Sequence, residues 1–139
     1  DVLFMGQKDY QQCMVIARLI EHYQLPVMLK IIETMREQDG LAMSSRNMRL
    51  SPEARISAKK LSAALFSIKK KLKTTDLSRL LQEQQEILSE DELIRVEYLV
   101  AANGKTLEPM TTYSEDTPTT LLIAAIVGNI RLIDNLIVN

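Results

Sequence analysis

The sequence has 139 residues, a formal net charge of −1 and 46% apolar residues, which together favour a folded region with its own core over a disordered chain. A net charge this close to zero argues against a general nucleic-acid-binding protein. No apolar run approaches the roughly 18 residues of a membrane-spanning helix. The one local basic cluster is interpreted as the solvated C-terminal end of a helix and comprises Lys69, Lys70, Lys71 and Lys73.

The N-terminal part of the chain has the pattern of a strand, a helix and a second strand. Val2–Met5 is a short apolar run of the kind that forms a buried strand. Apolar residues then recur at three- and four-residue spacing within Asp9–Tyr23, as they do in an amphipathic helix. Leu25 and Pro26 end that helix, and Val27–Ile32 is predicted to be a strand. This order predicts a βαβ unit with parallel strands and a right-handed crossover.

A long loop and two helices are predicted next. Glu33–Leu50 contains turn-forming pairs and no helical period, and loops of this length are usually functional or linking. Ser51 is a good N-cap, and Pro52 suits the first helical position. The apolar stripe of this helix is formed by Leu61, Leu65, Ile68 and Leu72. A second helix is predicted from about Thr75 or Asp76, with inward-facing side chains at Leu77, Leu80, Leu81, Ile87 and Leu88. The two helices are expected to form an antiparallel hairpin.

The remainder of the chain has the pattern of strands. Ile94–Val100 and Thr119–Val127 are the first two candidates. Gly128 and Asn129 lie between apolar runs, which predicts a hairpin turn into a third strand at Ile130–Val138. Two helices followed by three strands predict an α+β region in which the helices pack on a small antiparallel sheet.

The junction of the first strand and the first helix carries one candidate site. Gly6 would form a turn at a helix N-terminus, where free backbone N–H groups and the helix dipole attract anions. Lys8 adds a charge that suits phosphate. An alternative interpretation is purely structural, because Asp9 and Gln12 have the spacing of a capping-box-like pair at a helix start.

The long loop carries a second candidate site at Met43–Asn47. Ser44 and Ser45 offer two adjacent hydroxyls, and Arg46 can donate two parallel charge-assisted hydrogen bonds to phosphate oxygens. The alternative interpretation is an ordinary polar loop before a helix.

Together the two clusters resemble a known family. Gly6–Gln12 reads Gly-Gln-Lys-Asp-Tyr-Gln-Gln and resembles the Gly-Glu-Lys-Asp-aromatic-Gln-Gln segment of the pantothenate synthetases, or pantoate–β-alanine ligases. Asp39–Asn47 reads Asp-Gly-Leu-Ala-Met-Ser-Ser-Arg-Asn and is similar to that family's Asp-Gly-Leu-Ala-hydrophobic-Ser-Ser-Arg-Asn loop. Leu50-Ser51 and the following helix are similar too, and Arg131–Asn135 matches the family's closing Arg-Leu-Ile-Asp-Asn. The resemblance extends from one end of the chain to the other.

The resemblance implies an activity and a fold. The family uses ATP, with Mg²⁺ bound to it, to join pantoate and β-alanine through pantoyl adenylate. Its fold is that of nucleotidyl transferases, with a Rossmann-like N-terminal domain and a smaller C-terminal domain that closes over ATP. On this resemblance residues 1–34 are the C-terminal edge of the nucleotide-binding domain and residues 35–139 are the lid domain. A homodimer is also expected.

The resemblance also implies roles for individual residues. Gln12 would bind pantoate, and Met35 would meet the nucleotide through its backbone. The remaining ATP-binding residues would be Gly6, Gln7, Lys8, Asp9, Met43, Ser44, Ser45 and Arg46. Among these, the residues expected to act in catalysis are Lys8, Ser44, Ser45 and Arg46. No metal ligand is expected among the side chains of the chain.

Two features depart from the family pattern. Gln7 stands where the family usually has Glu, which removes one negative charge beside the phosphates. The family's His-x-Gly-His nucleotide motif is not present, because the sequence contains a single histidine, His22. We therefore expect a fragment of the ligase that is inactive alone. Two alternatives stay open: a fragment of a related nucleotidyl transferase that uses another carboxylate, and a non-catalytic oligomerisation module.

Two further expectations concern the origin of the chain. Cys13 is the only cysteine, so no intramolecular disulfide can form, which suits a reducing cytoplasm. The chain begins at Asp1 without a charged-then-apolar leader, which favours a piece of a longer polypeptide over a secreted precursor.

Overall fold

The computed structural model describes residues 1–139, which fold into three α-helices, two 3-10 helices and six strands in two sheets. The helices are α1 (Tyr10–His22), α2 (Pro52–Lys71) and α3 (Leu77–Ser89), and the 3-10 helices span Gln7–Asp9 and Ser45–Arg49. The strands are β1 (Val2–Gly6), β2 (Met28–Ile32), β3 (Ile94–Asn103), β4 (Pro109–Met110), β5 (Thr119–Val127) and β6 (Ile130–Ile137). None of the helices combines the length and hydropathy that a membrane crossing requires.

The N-terminal βαβ unit is confirmed. Strands β1 and β2 pair in parallel from Val2 opposite Met28 to Gly6 opposite Ile32. Helix α1 connects them, but of its predicted stripe only Cys13 is fully buried. The strands expose large apolar side chains, since Phe4 is 61% and Met28 60% exposed. The apolar residues of these strands predict a buried sheet. Within the 139 residues, however, no other element covers much of the surface of β1 and β2.

The two helices predicted after the long loop are confirmed as α2 and α3, and each begins where its capping residue predicts. The Ser51 hydroxyl caps α2 by accepting a hydrogen bond from the Ala54 N–H at 3.1 Å, and Asp76 caps α3 in the same way. Ion pairs join Lys71 to the middle of α3 and Lys60 to Asp91 beyond its end, as expected for antiparallel helices. The predicted stripe of α2 is buried throughout, at Leu61, Leu65, Ile68 and Leu72.

One predicted core residue of α3 is wrong. Ile87 is 45% exposed, and Leu81 is only partly buried. The buried face of α3 consists of Leu77, Leu80, Gln84 and Leu88. Because the buried Gln84 occupies the middle of this stripe, Ile87 falls at its edge and projects towards solvent. Sequence hydrophobicity alone overlooks a polar residue in the core.

The second sheet is antiparallel, with strand order β4-β3-β5-β6. Gly128 forms the β5–β6 hairpin turn with φ of +64°, a conformation that glycine adopts without strain. Helices α2 and α3 cover the sheet, and the core between them includes Leu65, Leu80, Leu121 and Ile123. The predicted α+β fold is thus confirmed. Strand β4 was not predicted, since a two-residue strand leaves no periodic signal.

Tyr10 joins the βαβ unit to this sheet. Its phenol donates a hydrogen bond to the Gly104 carbonyl at 2.5 Å, and its ring packs beside Ala102 and Leu122. A side chain at this position fixes the first turn of α1 against β3 and β5. The 3-10 turn Gln7–Asp9, which precedes Tyr10, is thereby brought to the edge of the second sheet.

Candidate functional site

The turn after β1 leaves free space beside Gly6. The backbone of Gly6 is extended (φ −76°, ψ 131°), a conformation open to any residue, and a Cβ added there would meet nothing within 4 Å. The Cys13 thiol donates to the Gly6 carbonyl at 3.4 Å, and burial, together with the charge of Asp9, raises the pKa of that thiol. Neither the backbone conformation at position 6 nor the surrounding residues of the chain therefore require a glycine there.

The residues after Gly6 divide between the interior and the surface. The Gln7 side chain is only 8% exposed, and its amide donates to Asn135 Oδ1 at 3.1 Å. Lys8 is half-buried and Asp9 is exposed. The buried amide of Gln7 is thus committed to a contact with β6, while Lys8 remains available to a ligand.

The capping-box interpretation of Asp9 and Gln12 is not supported. Asp9 takes the N-cap position of α1, but its side chain accepts no capping hydrogen bond. Gln12 is exposed and lines a cleft with about 140 Å³ of water-accessible space, beside Lys8, Tyr98 and Asp134. Gln12 is therefore placed on an open surface and has no capping role.

The long loop folds back on itself before α2. Arg36 and Ala42 form an isolated antiparallel bridge, and the Met43 N–H donates to the Met35 carbonyl at 2.9 Å. The Met35 N–H has no backbone partner. Met35 and Met43 both expose their side chains, Met35 by 71%. Gly40 permits the turn with φ of +87°.

The Ser-Ser-Arg segment forms the start of the second 3-10 helix. The Ser44 hydroxyl accepts the Arg46 N–H at 3.2 Å and caps the helix, which leaves the hydroxyl proton free to be donated. Ser45 is exposed. Arg46 is also exposed, and its guanidinium donates only to the Arg131 carbonyl, at 3.3 Å. The segment is therefore held by its backbone, with most of its side-chain donors unused.

A polar network holds this loop on α2. The buried Asn47 donates to the Ala42 carbonyl and to Glu37, both at 3.0 Å. Arg55 of α2 donates to Glu37 and to Asp39. The Arg55 hydrogen bond holds the pKa of Glu37 below its usual range, and the Leu41 N–H does the same for the pKa of Asp39. Both carboxylates therefore remain charged under mildly acidic conditions.

A partly buried ion pair joins the loop to β6. Arg36 contacts both carboxylate oxygens of Asp134, at 2.7 and 3.0 Å, and also donates to the Gly40 and Asn135 carbonyls. The Arg36 guanidinium lies 5.3 Å from the centre of the Phe66 ring. Two-pronged pairing of this kind fixes orientation as well as distance. The loop is thus held against β6 at one defined place.

The two sequence clusters converge on one narrow cleft. Lys8 from the first turn and Ser44 and Arg46 from the loop line this cleft, whose water-accessible space is about 10 Å³. Strand β6 forms the remaining wall, through Arg131 and Asp134 among others. Since Asp134 is paired with Arg36, the cleft presents unneutralised cations and a hydroxyl, which is chemistry suited to phosphate oxygens.

The other predicted residues lie around this cleft. Gln12 and Asp9 line the second cleft, which adjoins the first through Lys8. Gly6, Ser45, Met35 and Met43 are outside the walls of both clefts. The sequence did not single out Arg131, Asp134 or Asn135 for a function. Their only signal was the Arg131–Asn135 match, which carried no residue roles.

The fold and this site define a nucleotidyl transferase-like protein, in which a turn after a parallel strand faces a Ser-Ser-Arg loop beside the second sheet. Comparison with known proteins narrows the class. The family model of pantoate-beta-alanine ligase matches residues 1–137. The chain therefore belongs to the pantoate–β-alanine ligase family, as its motifs suggested.

Individual relatives agree with this assignment. The chain is 40% identical over 137 residues to a pantothenate synthetase of Chelativorans sp., covering 98% of the chain and 48% of the relative. The crystal structure of the pantothenate synthetase from Thermus thermophilus matches with a TM-score of 0.90 at 34% identity, covering 99% of the chain and 49% of that protein. The chain thus spans about half the length of the curated pantothenate synthetases that it matches.

A further structure carries ligands. The Francisella tularensis pantoate–β-alanine ligase, complexed with β-γ ATP and β-alanine, matches with a TM-score of 0.66 at 26% identity. The match covers 98% of the present chain and 43% of that protein. The relative therefore provides a ligand-bound example of this fold.

Proposed function

We propose that these 139 residues supply the C-terminal half of an ATP-dependent ligase that joins pantoate and β-alanine through pantoyl adenylate. The observation that carries this proposal is the convergence of Lys8, Ser44 and Arg46 on one cleft in a member of this family. ATP is supported as the nucleotide by the ligand-bound Francisella relative.

The proposed catalytic residues act on the phosphates. Adenylation develops charge on the α-phosphate and on the departing pyrophosphate, so cations and donors fixed beside them stabilise the transition state directly. Lys8 and Arg46 are the proposed cations, and Ser44 and Ser45 are the proposed hydroxyl donors. The open space beside Gly6 would admit the nucleotide to the backbone of the turn.

The remaining contacts are assigned to the rim of the site. The unpaired Met35 N–H is free to donate to the nucleotide, with Met43 beside it. Gln7 would act through its backbone, because its side chain is buried against Asn135. Asp9 lies in the second cleft with Gln12, for which we propose the pantoate contact. Lys8 lines both clefts, so it would lie between the two reacting groups.

The organisation of the ligase forms part of the proposal. Residues 1–34 would be the edge of the nucleotide-binding domain, and residues 35–139 the lid. Mg²⁺ would arrive bound to ATP. A cytoplasmic homodimer is the proposed working state; the single cysteine, free and buried, supports a reducing compartment, and the exposed apolar strands β1 and β2 support association.

The test is pantoate-dependent exchange of labelled pyrophosphate into ATP by a full-length ligase that carries this chain. We expect exchange with pantoate and none with other short hydroxy acids, followed by release of AMP when β-alanine is added. Exchange driven better by a different carboxylate would assign the chain to a related nucleotidyl transferase. Absence of exchange with every acid would overturn the proposed function.

A further inference from the structure

Strand β6 is hydrogen-bonded to the 3-10 turn Gln7–Asp9 through the side-chain carboxamide of Asn135. Asn135 is 1% exposed, and its Nδ2 donates to the carbonyls of Gln7 and Lys8, both at 2.9 Å. Its Oδ1 accepts the Gln7 side-chain amide at 3.1 Å. The carboxamide thus makes three hydrogen bonds to two consecutive residues, and one of these residues, Lys8, lines the cleft.

The neighbouring residue on β6 contacts the other half of the site. Asp134 pairs with Arg36 of the loop, and its Oδ1 also accepts the Asn135 backbone N–H at 2.7 Å. Arg36 in turn donates to the Asn135 carbonyl at 3.2 Å. One two-residue segment of β6 therefore holds both the Lys8 turn and the loop that leads to Ser44 and Arg46.

We propose that Asn135 is a positioning residue, which sets the Lys8 turn in register with the Ser-Ser-Arg loop across the cleft. The expected kinetic effect rests on the proposed function, whereas the hydrogen bonds of Asn135 are seen in the structure whatever the function is. The 3-10 turn at Gln7–Asp9 is only three residues long and has no side-chain cap. Its backbone is therefore fixed mainly by contacts from outside, among which the Asn135 bonds are the ones that hold the Lys8 carbonyl.

The side chain fits this task chemically. An amide has two N–H donors and one carbonyl acceptor on one rigid plane, and here each kind of group is used. Aspartate has the same shape but no N–H, so it would put negative charge against two carbonyl oxygens. Displacing a reacting group by about 1 Å can cost roughly a hundredfold in rate, so a small error at Lys8 is costly.

The kinetic test is a double-mutant cycle in a full-length ligase that carries this chain. Asn135→Ala should lower pantoate-dependent pyrophosphate exchange by about ten- to a hundredfold. In a Lys8→Ala background the same substitution should change the residual exchange by less than about twofold, because no lysine remains to be positioned. An equal loss in both backgrounds, or no loss in the first, would overturn the proposal. Asn135→Ser, which keeps a small neutral polar side chain, replaces the alanine variant if that variant does not fold.

A second measurement is independent of activity. Asn135→Ala should speed hydrogen exchange at the amides of Gln7–Tyr10 while β5 stays protected. The matched control is Thr119→Val, which removes another buried side-chain hydrogen bond, to the Thr117 carbonyl, away from the cleft. The control should lower stability yet leave both the exchange of Gln7–Tyr10 and pyrophosphate exchange per folded molecule unchanged.

The outcomes separate the two proposals. If the unmutated ligase shows no pyrophosphate exchange, the proposed function fails, and the amide-exchange result alone decides whether Asn135 fixes the turn. If the unmutated ligase is active but Gln7–Tyr10 exchange equally slowly with and without the Asn135 side chain, the positioning role is wrong.

Discussion

At the candidate site, side chains differ in how many of their hydrogen bonds the fold already uses. Asn135 uses three and has no surface left for a ligand, whereas Arg46 makes one long contact from an exposed position. Gln12 lies open in its cleft. A residue whose donors are unused contributes little to folding, so its replacement changes function without unfolding the protein.

Arg46→Ala should slow adenylation by about a hundredfold in a full-length ligase carrying this chain, because a fixed cation beside the phosphates is lost. Its unfolding free energy should change by no more than about 0.5 kcal/mol, as for other exposed residues. Pyrophosphate exchange and a thermal melt measure the two effects. Arg49→Ala is the matched control, since Arg49 ends the same 3-10 helix, is exposed and does not line the cleft. Equal exchange rates for the two variants would make Arg46 an ordinary loop residue.

Gln12→Ala should raise the pantoate requirement and leave the ATP requirement nearly unchanged. Loss of a hydrogen-bond partner on the substrate side costs about 1–3 kcal/mol of binding. The melting temperature should hardly change, because Gln12 is exposed and the start of α1 has no side-chain capping bond that the substitution could break. Steady-state kinetics with pantoate and ATP varied separately will measure this. Gln85→Ala serves as the control, because Gln85 is an exposed residue of α3 that lines neither cleft, and a similar rise in its pantoate KM would remove the specific assignment.

Some residues of the site were predictable and others were not. Lys8, Ser44 and Arg46 carry chemistry in short motifs, so the sequence singled them out, and the structure brings them to one cleft. Asn135 had no such signal, because its partners are 127 and 128 residues away and only the fold brings them together. The burial of Gln7 was likewise invisible, since a polar residue in a polar motif gives no hint of facing inward.

At the level of elements, the long loop is the least regular segment and the most heavily cross-linked by side chains. Glu37 and Asp39 pair with Arg55 on α2, while Arg36 pairs with Asp134 on β6. Backbone hydrogen bonds are few here, so the charged groups determine where the loop lies. This dependence makes the geometry of the loop sensitive to protonation.

Acid should therefore loosen the loop. The pKa values of Glu37 and Asp39 are lowered in the fold, so their stabilisation is fully present at neutral pH. It is lost as the pH falls below the ordinary carboxyl range of about 4 and through the lowered values. Melting temperatures between about pH 7 and pH 3 should fall less steeply for Arg55→Met than for the unmutated chain. The control is Arg18→Met, on the exposed face of α1, which should keep the full slope.

Element boundaries were predictable where local chemistry sets them. Ser51 and Pro52 set the start of α2, and Gly128 sets the turn between β5 and β6. The structure agrees at both places. The 3-10 helices and β4 were not predicted, because they contain two to five residues and depend on tertiary contacts. Ile87 is an error of the other kind: its hydrophobic side chain predicted a core position, but the packing of α3 on the sheet leaves it exposed.

For the molecule as a whole, stability should be unevenly distributed. The second sheet with α2 and α3 has its own apolar core, whereas β1 and β2 form a two-stranded sheet with exposed apolar side chains. Parallel strands are normally covered on both faces, and two strands alone are marginal in water. The exposed edges and the open face invite association with another chain.

Hydrogen exchange tests this difference on the 139-residue chain. We expect amides of Val2–Ile32 to be less protected than those of Leu61–Leu72, or to become protected only in associated species, which dilution and light scattering will detect. Equal protection of the two segments in a demonstrably monomeric sample would contradict the prediction.

The same 139 residues should not form pantothenate on their own. The only histidine, His22, is an exposed residue at the end of α1, so the His-x-Gly-His pair implied by the family resemblance is not among them. Losing one oriented transition-state donor costs about a hundred- to a thousandfold, and several would be missing here. The assay supplies pantoate, β-alanine and MgATP, with a full-length ligase carrying this chain as the positive control. Pantothenate formed above background by the isolated chain would disprove the expectation.

The contact between Asn135 and the first turn also has a consequence for biosynthesis. Ribosomes make the Lys8 turn at the start of this segment and Asn135 127 residues after Lys8, so the two meet only when nearly all the intervening chain has emerged. Helices α2 and α3 depend on nearer neighbours and are able to form earlier, since contacts of short sequence separation close first. A nascent chain that stops before β6 therefore holds a folded helical hairpin but a first turn without its anchor. The geometry of the candidate cleft is thus completed only after β6 has been made.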